Sequence, residues 1–275
     1  EKLLNEYQER LREIADFLDI LSDPERLKLV IREELEEIVA EYGDERRSKL
    51  VARAAAQAID ETELVASEPT TVVLSKSGWV RAAKGHEIDP RSLSYKTSDE
   101  YRACAKGRST QFAVFLDSTG RAYSLLAHTL PSARGQGEPL SGRLDPPDGA
   151  TFPGVLIGEP TERWVLASSA GYGFVVKLED LHSRNRAGKA VLNVPDGYAA
   201  IAPAIVPPGD EPMLAAVNSE GRLLTFPVAD LPELPRGKGN KIFGISTRKS
   251  LVEPETLLAI AAVAPGQTLK GVCGD

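Results

Sequence analysis

The chain has 275 residues and 42% hydrophobic content, which suffices for a buried core and more than one domain and is typical of a folded chain. Neither a signal peptide nor an apolar run of the roughly 20 residues that a membrane helix needs is present. Cys104 and Cys273 are its two cysteines. Since they form no CxxC pair, they argue against a disulfide framework or a cysteine zinc site and indicate a reducing compartment, so we expect a cytoplasmic protein.

The net charge of −7 is distributed unevenly along the chain. Residues 1–66 carry 10 Lys and Arg against 18 Asp and Glu, whereas residues 67–275 carry 23 against 22. The second region concentrates its cations in short segments that contain glycine. Because the local distribution of charge governs attraction to a polyanion, the acidic total does not exclude nucleic acid as a partner.

Two amphipathic helices are predicted at the N-terminus. Apolar residues recur at the spacing of one helical face over residues 3–21 and again over residues 27–42. Pro24 is suited to the first turn of the second helix, and Gly43 ends it in the manner usual for helix C-termini. We therefore predict an antiparallel helical arm over residues 1–50. Such stripes are typical of any helical bundle and indicate no function by themselves.

The amino-acid composition changes after the predicted helices. Residues 51–69 are rich in alanine and acid and end in Ser67-Glu68-Pro69, which predicts a linker. From residue 70 to residue 275, short runs of β-branched and aromatic residues alternate with clusters of Gly, Pro and Asp, which predicts an all-β domain. Because the chain begins at Glu1 without a methionine and ends in a strand-like pattern, we expect a fragment of a longer protein.

One unit recurs within the β domain: an apolar strand, a small polar turn with a glycine, and a second strand. The turn glycines are separated by 42, 51, 50 and 45 residues, and they are Gly78, Gly120, Gly171, Gly221 and, in a weaker fifth copy over Ile260–Leu269, Gly266. A period near 50 residues is typical of propeller blades with about four strands each. A tight hairpin needs a residue that tolerates positive φ, which explains the glycine. We predict a mainly β fold of about five blades, of which the last is truncated to its opening hairpin.

A second element, a cluster of cations and glycines, follows each complete repeat. Arg134, Arg186 and Arg236 follow their turn glycines by 14, 15 and 15 residues. Equivalent positions on successive blades predict a curved belt of cations that neutralises the phosphates of a bent duplex. The candidate DNA contacts in these clusters are Arg134, Arg184, Arg186, Lys189, Arg236, Lys238 and Lys241. Weaker candidates outside them are Lys84, Lys106, Arg108, Arg121 and Arg222.

Two alternatives to DNA binding stay open at this point. Any single cluster is explained as an ordinary solvated loop, although three clusters in phase favour a function. A propeller that binds acidic peptides would carry periodic basic loops as well, and spacing does not separate the two functions.

The pattern predicts no catalytic, cofactor or metal site in this chain. His86, His128 and His182 are scattered, and no GxSxG, HExxH, P-loop or zinc-ligand spacing occurs. The many carboxylates of the helical arm lie on polar helix faces, where solvation explains them. Tyr7 and Tyr42 lie on the apolar stripes, which favours packing over a nucleophilic role.

Five stretches resemble a known family. The end of the second predicted helix resembles the A subunits of bacterial gyrase and topoisomerase IV, and four stretches further along are similar specifically to the topoisomerase IV A subunit, the ParC family. The stretches are Tyr42–Ser48, Trp79–Ile88, Leu130–Leu140, Ala170–Phe174 and Arg236–Ile242. They follow one another in the family's order and extend the resemblance over nearly the whole chain.

The resemblance implies the end of a coiled-coil arm followed by a β-pinwheel, a relative of the propeller in which blades exchange strands and basic residues lie on the outer rim. It implies a role in an ATP-dependent type II topoisomerase, an isomerase that unlinks daughter chromosomes and relaxes supercoils in the cytoplasm, at the nucleoid. In that family this region binds and bends the transported duplex.

The implied partners are duplex DNA and the topoisomerase IV B subunit, in a heterotetramer of two A and two B subunits. The family's dimer gate lies largely before Glu1, so this fragment is expected to be monomeric. The catalytic tyrosine also lies upstream, and ATP and Mg²⁺ belong to the joint cleavage site and the B subunit. The resemblance therefore implies no cofactor here.

The gyrase A subunit is the nearest alternative within the family. It carries a Gln-Arg-Arg-Gly-Gly-Lys-Gly type of box in its first blade, which is needed to wrap DNA tightly. This sequence contains no intact copy, and the nearest matches are degenerate and lie in later blades. The comparison favours bending of DNA without full wrapping.

Overall fold

The computed structural model describes residues 2–44, 48, 66–245 and 255–269. These residues belong to two compact units, within Glu1–Ala58 and Ile59–Asp275, which are described separately. Most of the predicted linker and Cys273 lie outside the described residues, so the linker stays a prediction. Among the helices that are described, none has the length and apolar character needed to cross a membrane.

The first unit contains the predicted pair of helices, α1 (Lys2–Ser22) and α2 (Pro24–Tyr42). Asp23 caps α2 by accepting a hydrogen bond from the backbone N–H of Glu25, and Pro24 lies in its first turn as predicted. Gly43 ends α2 with an extended backbone at φ −69°, so the left-handed ending expected of a glycine there is not observed. No residue of either helix is buried, which leaves both apolar stripes exposed.

The second unit is built of short strands. In chain order they are β1 (Pro69–Ser75), β2 (Trp79–Lys84), β3 (Tyr101–Arg108), β4 (Phe112–Leu116), β5 (Arg121–Leu126), β6 (Glu138–Pro139), β7 (Gly154–Leu156), β8 (Arg163–Ala167), β9 (Tyr172–Lys177), β10 (Lys189–Ala190), β11 (Ala204–Ile205), β12 (Met213–Asn218), β13 (Leu223–Pro227), β14 (Asn240–Lys241) and β15 (Leu257–Val263).

The strands form four antiparallel sheets, which we call blades. Their strand orders are β3-β1-β2-β6, β7-β4-β5-β10, β11-β8-β9-β14 and β15-β12-β13. Strands β3, β7, β11 and β15, at one edge of each blade, line a common cavity of about 740 Å³. We call this the inner edge and the opposite edge of each blade the outer edge.

The outer strand of each of the first three blades comes from a later part of the chain. Strand β6 pairs with β2 only after the chain has formed the next hairpin, β4–β5. Strands β10 and β14 relate to the second and third blades in the same way. The blades therefore exchange strands, which is the β-pinwheel arrangement that the resemblance implied.

Each blade is centred on one of the predicted hairpins. The turn glycines Gly78, Gly120, Gly171 and Gly221 have φ of 78°, 88°, 81° and 76°, as a tight turn requires. At Gly120 a side chain would also collide with the carbonyl oxygen of Leu192, which lies just after the exchanged strand β10. The hairpin prediction is confirmed at all four positions.

The segment predicted to open a fifth blade has a different place. Strand β15 pairs with β12 over Met213–Asn218 and forms the inner edge of the fourth blade. Gly266 has the predicted positive φ of 82°, and its turn directly follows this inner strand. Among the described residues the β domain therefore has four blades, and the apolar run around Ile260 is the inner strand of the fourth blade and not, as predicted, the first strand of a fifth.

The hydrophobic core lies between consecutive blades. Three clusters of buried side chains fill the gaps between blades one and two, two and three, and three and four, with Phe115, Phe174 and Leu214 among their members. Burying one such side chain contributes roughly 1.5–3 kcal/mol. Each hairpin is thus stabilised mainly by its neighbours.

A buried polar side chain closes every hairpin turn. The positions are Ser75, Asp117, Ser168 and Asn218, each at most 2% exposed. In the second blade, Asp117 Oδ1 accepts hydrogen bonds from the backbone N–H groups of Thr119 and Arg121, and Oδ2 accepts one of 2.8 Å from the Tyr123 hydroxyl. Burial, and then this bond, raise the pKa of Tyr123.

We expect Asp117→Ala to lower the free energy of unfolding by roughly 3 kcal/mol, because buried N–H and O–H donors would lose their acceptor. Urea denaturation followed by circular dichroism measures the change. Asp148→Ala is the matched control, since it removes an exposed carboxylate from the loop that leads into β7 of the same blade. Equal denaturation midpoints for the two variants would contradict a structural role for Asp117.

Candidate nucleic-acid interface

The three predicted cation clusters occupy equivalent places in the fold. Each lies in a stretch that starts at a leucine, crosses the outer edge of the preceding blade and ends in an exchanged strand, β6, β10 or β14. We call residues 130–139, 181–190 and 231–241 the first, second and third rim segments. Their first residues Leu130, Leu181 and Leu231 are buried and anchor the segments to the core.

The last glycine of each rim segment is required by the exchange of strands. Gly137, Gly188 and Gly239 directly precede β6, β10 and β14 and have φ of 88°, 67° and 74°. A Cβ atom on Gly188 would lie 2.6 Å from the ring of Tyr123, and on the other two it would collide with backbone carbonyls of Val80 and Gly173. The geometry therefore gives these glycines a packing role at the points where strands are exchanged.

We expect Gly188→Ala to destabilise the domain by roughly 1–3 kcal/mol more than Gly197→Ala. Both glycines have positive φ, so both variants carry the strain of a left-handed alanine, about 1–2 kcal/mol. At Gly197 nothing lies within 4 Å of the added Cβ, so only the Gly188 variant adds a collision. Thermal and urea denaturation compare the two, and equal losses would show that the collision is relieved at no cost.

The rim segments are joined to one another by backbone hydrogen bonds. The chain leaving the first segment donates from Asp145 N to Arg186 O of the second at 2.9 Å. The chain leaving the second exchanges two bonds of 2.9 Å with Gly237 of the third, through Val191 O and Asn193 N. The segments therefore form one continuous band along the outer edges of three blades, which we call the rim.

Exposed cations are distributed along the rim. Arg134, Arg184, Arg236 and Lys241 are exposed and, among the described residues, form no ion pair or side-chain hydrogen bond. The donors of these four side chains are available to a ligand.

The side chains of the other three candidate DNA contacts on the rim form only weak interactions within the protein. Arg186 lies 3.5 Å from Asp145, with both side chains more than 60% exposed. Lys189 Nζ donates to Asp180 O, and Lys238 Nζ lies 3.8 Å from the ring centroid of Tyr172. An exposed ion pair contributes at most about 1 kcal/mol, so a phosphate could displace Asp145.

The weaker candidates are dispersed. Lys84 lines a depression of about 430 Å³ together with Arg134 and pairs with Glu68 at 2.8 Å. Lys106 and Arg108 lie on β3, at the inner edge and three strands away from β6, a distance of about 14 Å. Arg222 follows the turn of the fourth blade, outside the rim, and pairs with Glu220.

Arg121 has a structural role that the sequence interpretation did not foresee. Its Nε donates a hydrogen bond of 2.8 Å to Ala187 O, and its Nη2 donates one of 3.1 Å to Gly188 O. The half-buried guanidinium therefore holds the second rim segment in place. Arg81 does the same for the first segment. It is 2% exposed, donates to Ser94 O and Gly135 O, and stacks on the ring of Tyr95 at 4.5 Å.

Arg81 follows its turn glycine by three residues and Arg121 follows its turn glycine by one, so no common spacing in the sequence marked this role. His182, in the second rim segment, packs on Phe112 with ring centroids 5.1 Å apart. Burial lowers the pKa of His182, so its ring adds little positive charge to the rim at neutral pH.

Comparison with known proteins agrees with the β-pinwheel fold of the second unit. A family model described as the DNA gyrase C-terminal domain, beta-propeller, matches residues 162–207 and 212–264. The solved structure of the Escherichia coli ParC C-terminal domain is 47% identical in sequence and has a TM-score of 0.64. The match covers 72% of this chain and 80% of the chain in that structure. This chain belongs to the ParC C-terminal domain family.

Longer relatives agree with that membership. The DNA topoisomerase 4 A subunits of Pseudomonas aeruginosa and Escherichia coli K12 are 54% and 43% identical over 268 residues, or 98% of this chain. The chain spans 36% of the length of each. The predicted membership in the family of topoisomerase IV A subunits is confirmed.

Proposed function

We propose that the rim of the β domain binds duplex DNA through its phosphates and bends it, in a topoisomerase IV A subunit. The observation that carries this proposal is the continuous rim with its exposed, weakly held cations. Phosphate contacts fix position and carry no sequence information, so binding is expected to be independent of sequence.

The energetics favour bending. If all seven rim candidates contact phosphates, the slope of log K against log salt is about −6, because each neutralised phosphate contributes about −0.9. Smooth bending of a 20–30 bp site by 40–90° costs on the order of 1–6 kcal/mol, and contacts of all seven rim candidates with phosphates would offset this cost. The acidic helical arm repels DNA and restricts binding to the β domain.

The proposal places the chain in a larger machine. In the whole enzyme, two A subunits and two B subunits would cut one duplex, pass a second through the break and reseal it, with ATP and Mg²⁺ acting outside this chain. The rim would present the transported duplex to the cleavage site, and decatenation and relaxation of supercoils in the cytoplasm would follow. The similarity of this chain to the DNA topoisomerase 4 A subunits supports this role.

We expect Arg186→Glu with Lys189→Glu to weaken binding of all duplex sequences about equally and to reduce the salt slope by about 2, because two phosphate contacts are lost. Fluorescence anisotropy at several salt concentrations measures both quantities. Arg12→Glu with Arg32→Glu is the control, since it changes net charge equally on the helical arm. Unchanged affinity in the rim variant would remove these residues from the interface.

We expect a 30 bp duplex with a fluorophore at each end to show a modest rise in energy transfer when the chain binds. Bending along three blades brings the ends closer without closing them. Near-complete closure would favour wrapping of the gyrase type. Absence of binding at low salt, together with affinity for an acidic peptide, would replace the proposal with a protein-interaction function.

A further inference from the structure

The cavity at the inner edges of the blades has a charge and shape of its own. It measures about 740 Å³ and is lined by residues from all four blades. In the first blade it is separated from the rim by the width of the sheet, since β3 and β6 lie at opposite edges. It belongs to no part of the DNA-binding proposal and does not depend on it.

The charged groups lining this cavity are all cationic. Lys76, Arg102 and Lys106 face it, and none of its described lining residues is a carboxylate. Lys76 pairs with Glu100 at 2.6 Å, whereas Arg102 and Lys106 are exposed and have no ion-pair partner among the described residues. An uncompensated cluster of this kind attracts an anion.

The unpaired cations of the cavity both lie on β3. Cys104 and Lys106 occupy alternate positions of the strand and face the same side, whereas Arg102 lies at a bulge opposite the step from Leu74 to Ser75. The Tyr101 hydroxyl donates to Cys104 Sγ. Burial and Cys104 raise the pKa of Tyr101, so it is a neutral donor. Four residues of strand place the backbones of Arg102 and Lys106 at most about 13 Å apart, a span that suits an elongated ligand with several charges.

The facing walls are apolar. They are formed by Val155 and Ile157 from the second blade, Ile205 from the third and Ile260 from the fourth. Trp164 also lines the cavity. It is 7% exposed, and its Nε1 donor is buried without an acceptor among the described residues. The buried Nε1 presents no surface to the cavity, so the indole contributes only apolar wall.

We propose that the inner cavity binds a phosphate ester of a nucleoside. Arg102 and Lys106 contact the phosphate oxygens, since a guanidinium binds phosphate bidentately and an ammonium acts as a compact charge. Lys76 exchanges Glu100 for a phosphate. The apolar walls and the indole cover the base and sugar, and the volume lies in the range of small-molecule sites, about 300–1,000 Å³.

Two sources supply this chemistry: a free nucleotide and the exposed end of a DNA strand. The first measurement is calorimetric titration of the whole chain with ADP, with pyrophosphate and with a 5′-phosphorylated dinucleotide, each without divalent cations. We expect ADP to bind with one site per chain and more tightly than pyrophosphate. Binding of the dinucleotide without binding of ADP would assign the site to strand ends.

Variants connect the binding to the cavity. Arg102→Gln with Lys106→Gln is expected to weaken ADP at least ten-fold, whereas Arg12→Gln with Arg32→Gln, which removes the same charge from the helical arm, leaves it unchanged. Near-UV circular dichroism checks that each variant is folded. In the unaltered chain, bound ADP should also protect Lys106 from acetylation, as read by mass spectrometry.

Three results would overturn the proposal. The first is that neither ADP nor the dinucleotide binds at millimolar concentration. The second is that pyrophosphate binds as tightly as ADP, since the apolar walls would then contribute nothing. The third is an equal loss of affinity in the cavity and helical-arm variants. The proposed DNA function would survive all three, because its tests involve only rim residues.

Discussion

Exchange of the outer strand is the constraint on which the β domain depends. A hairpin alone leaves the outer edge of its second strand unpaired, and an exposed edge invites association with other chains. In the first three blades that edge is covered by two residues delivered from the following repeat. The same crossing produces the rim, because the residues that approach the edge carry the exposed cations. Architecture and candidate interface therefore have one origin.

Much of this arrangement was predictable from residue spacing. The turn glycines marked the four hairpins because a tight turn demands positive φ irrespective of tertiary context. The phase of Arg134, Arg186 and Arg236 located the rim, since equivalent offsets from a hairpin end at equivalent places in a repeated fold. The exchange of strands itself came from the family resemblance, as strands of two residues such as β6 have no periodicity to detect.

What the sequence did not reveal depended on contacts between distant residues. Arg121 was grouped with the candidate DNA contacts, because composition does not distinguish an arginine that binds phosphate from one that binds a carbonyl oxygen 66 residues away. The misplaced fifth hairpin has a related cause. The apolar run around Ile260 is a suitable strand for either position, and only its pairing with β12 decides which it occupies.

Strand exchange also sets a direction for assembly. Trp79 pairs with Pro139, and Gly173 pairs with Asn240, so each of the first three blades needs about 60 or more residues of later chain before its sheet is complete. During synthesis from the N-terminus, each of these three blades would leave the ribosome with one unpaired edge, which the next repeat then covers. The order of synthesis is therefore also the order in which the three sheets are completed.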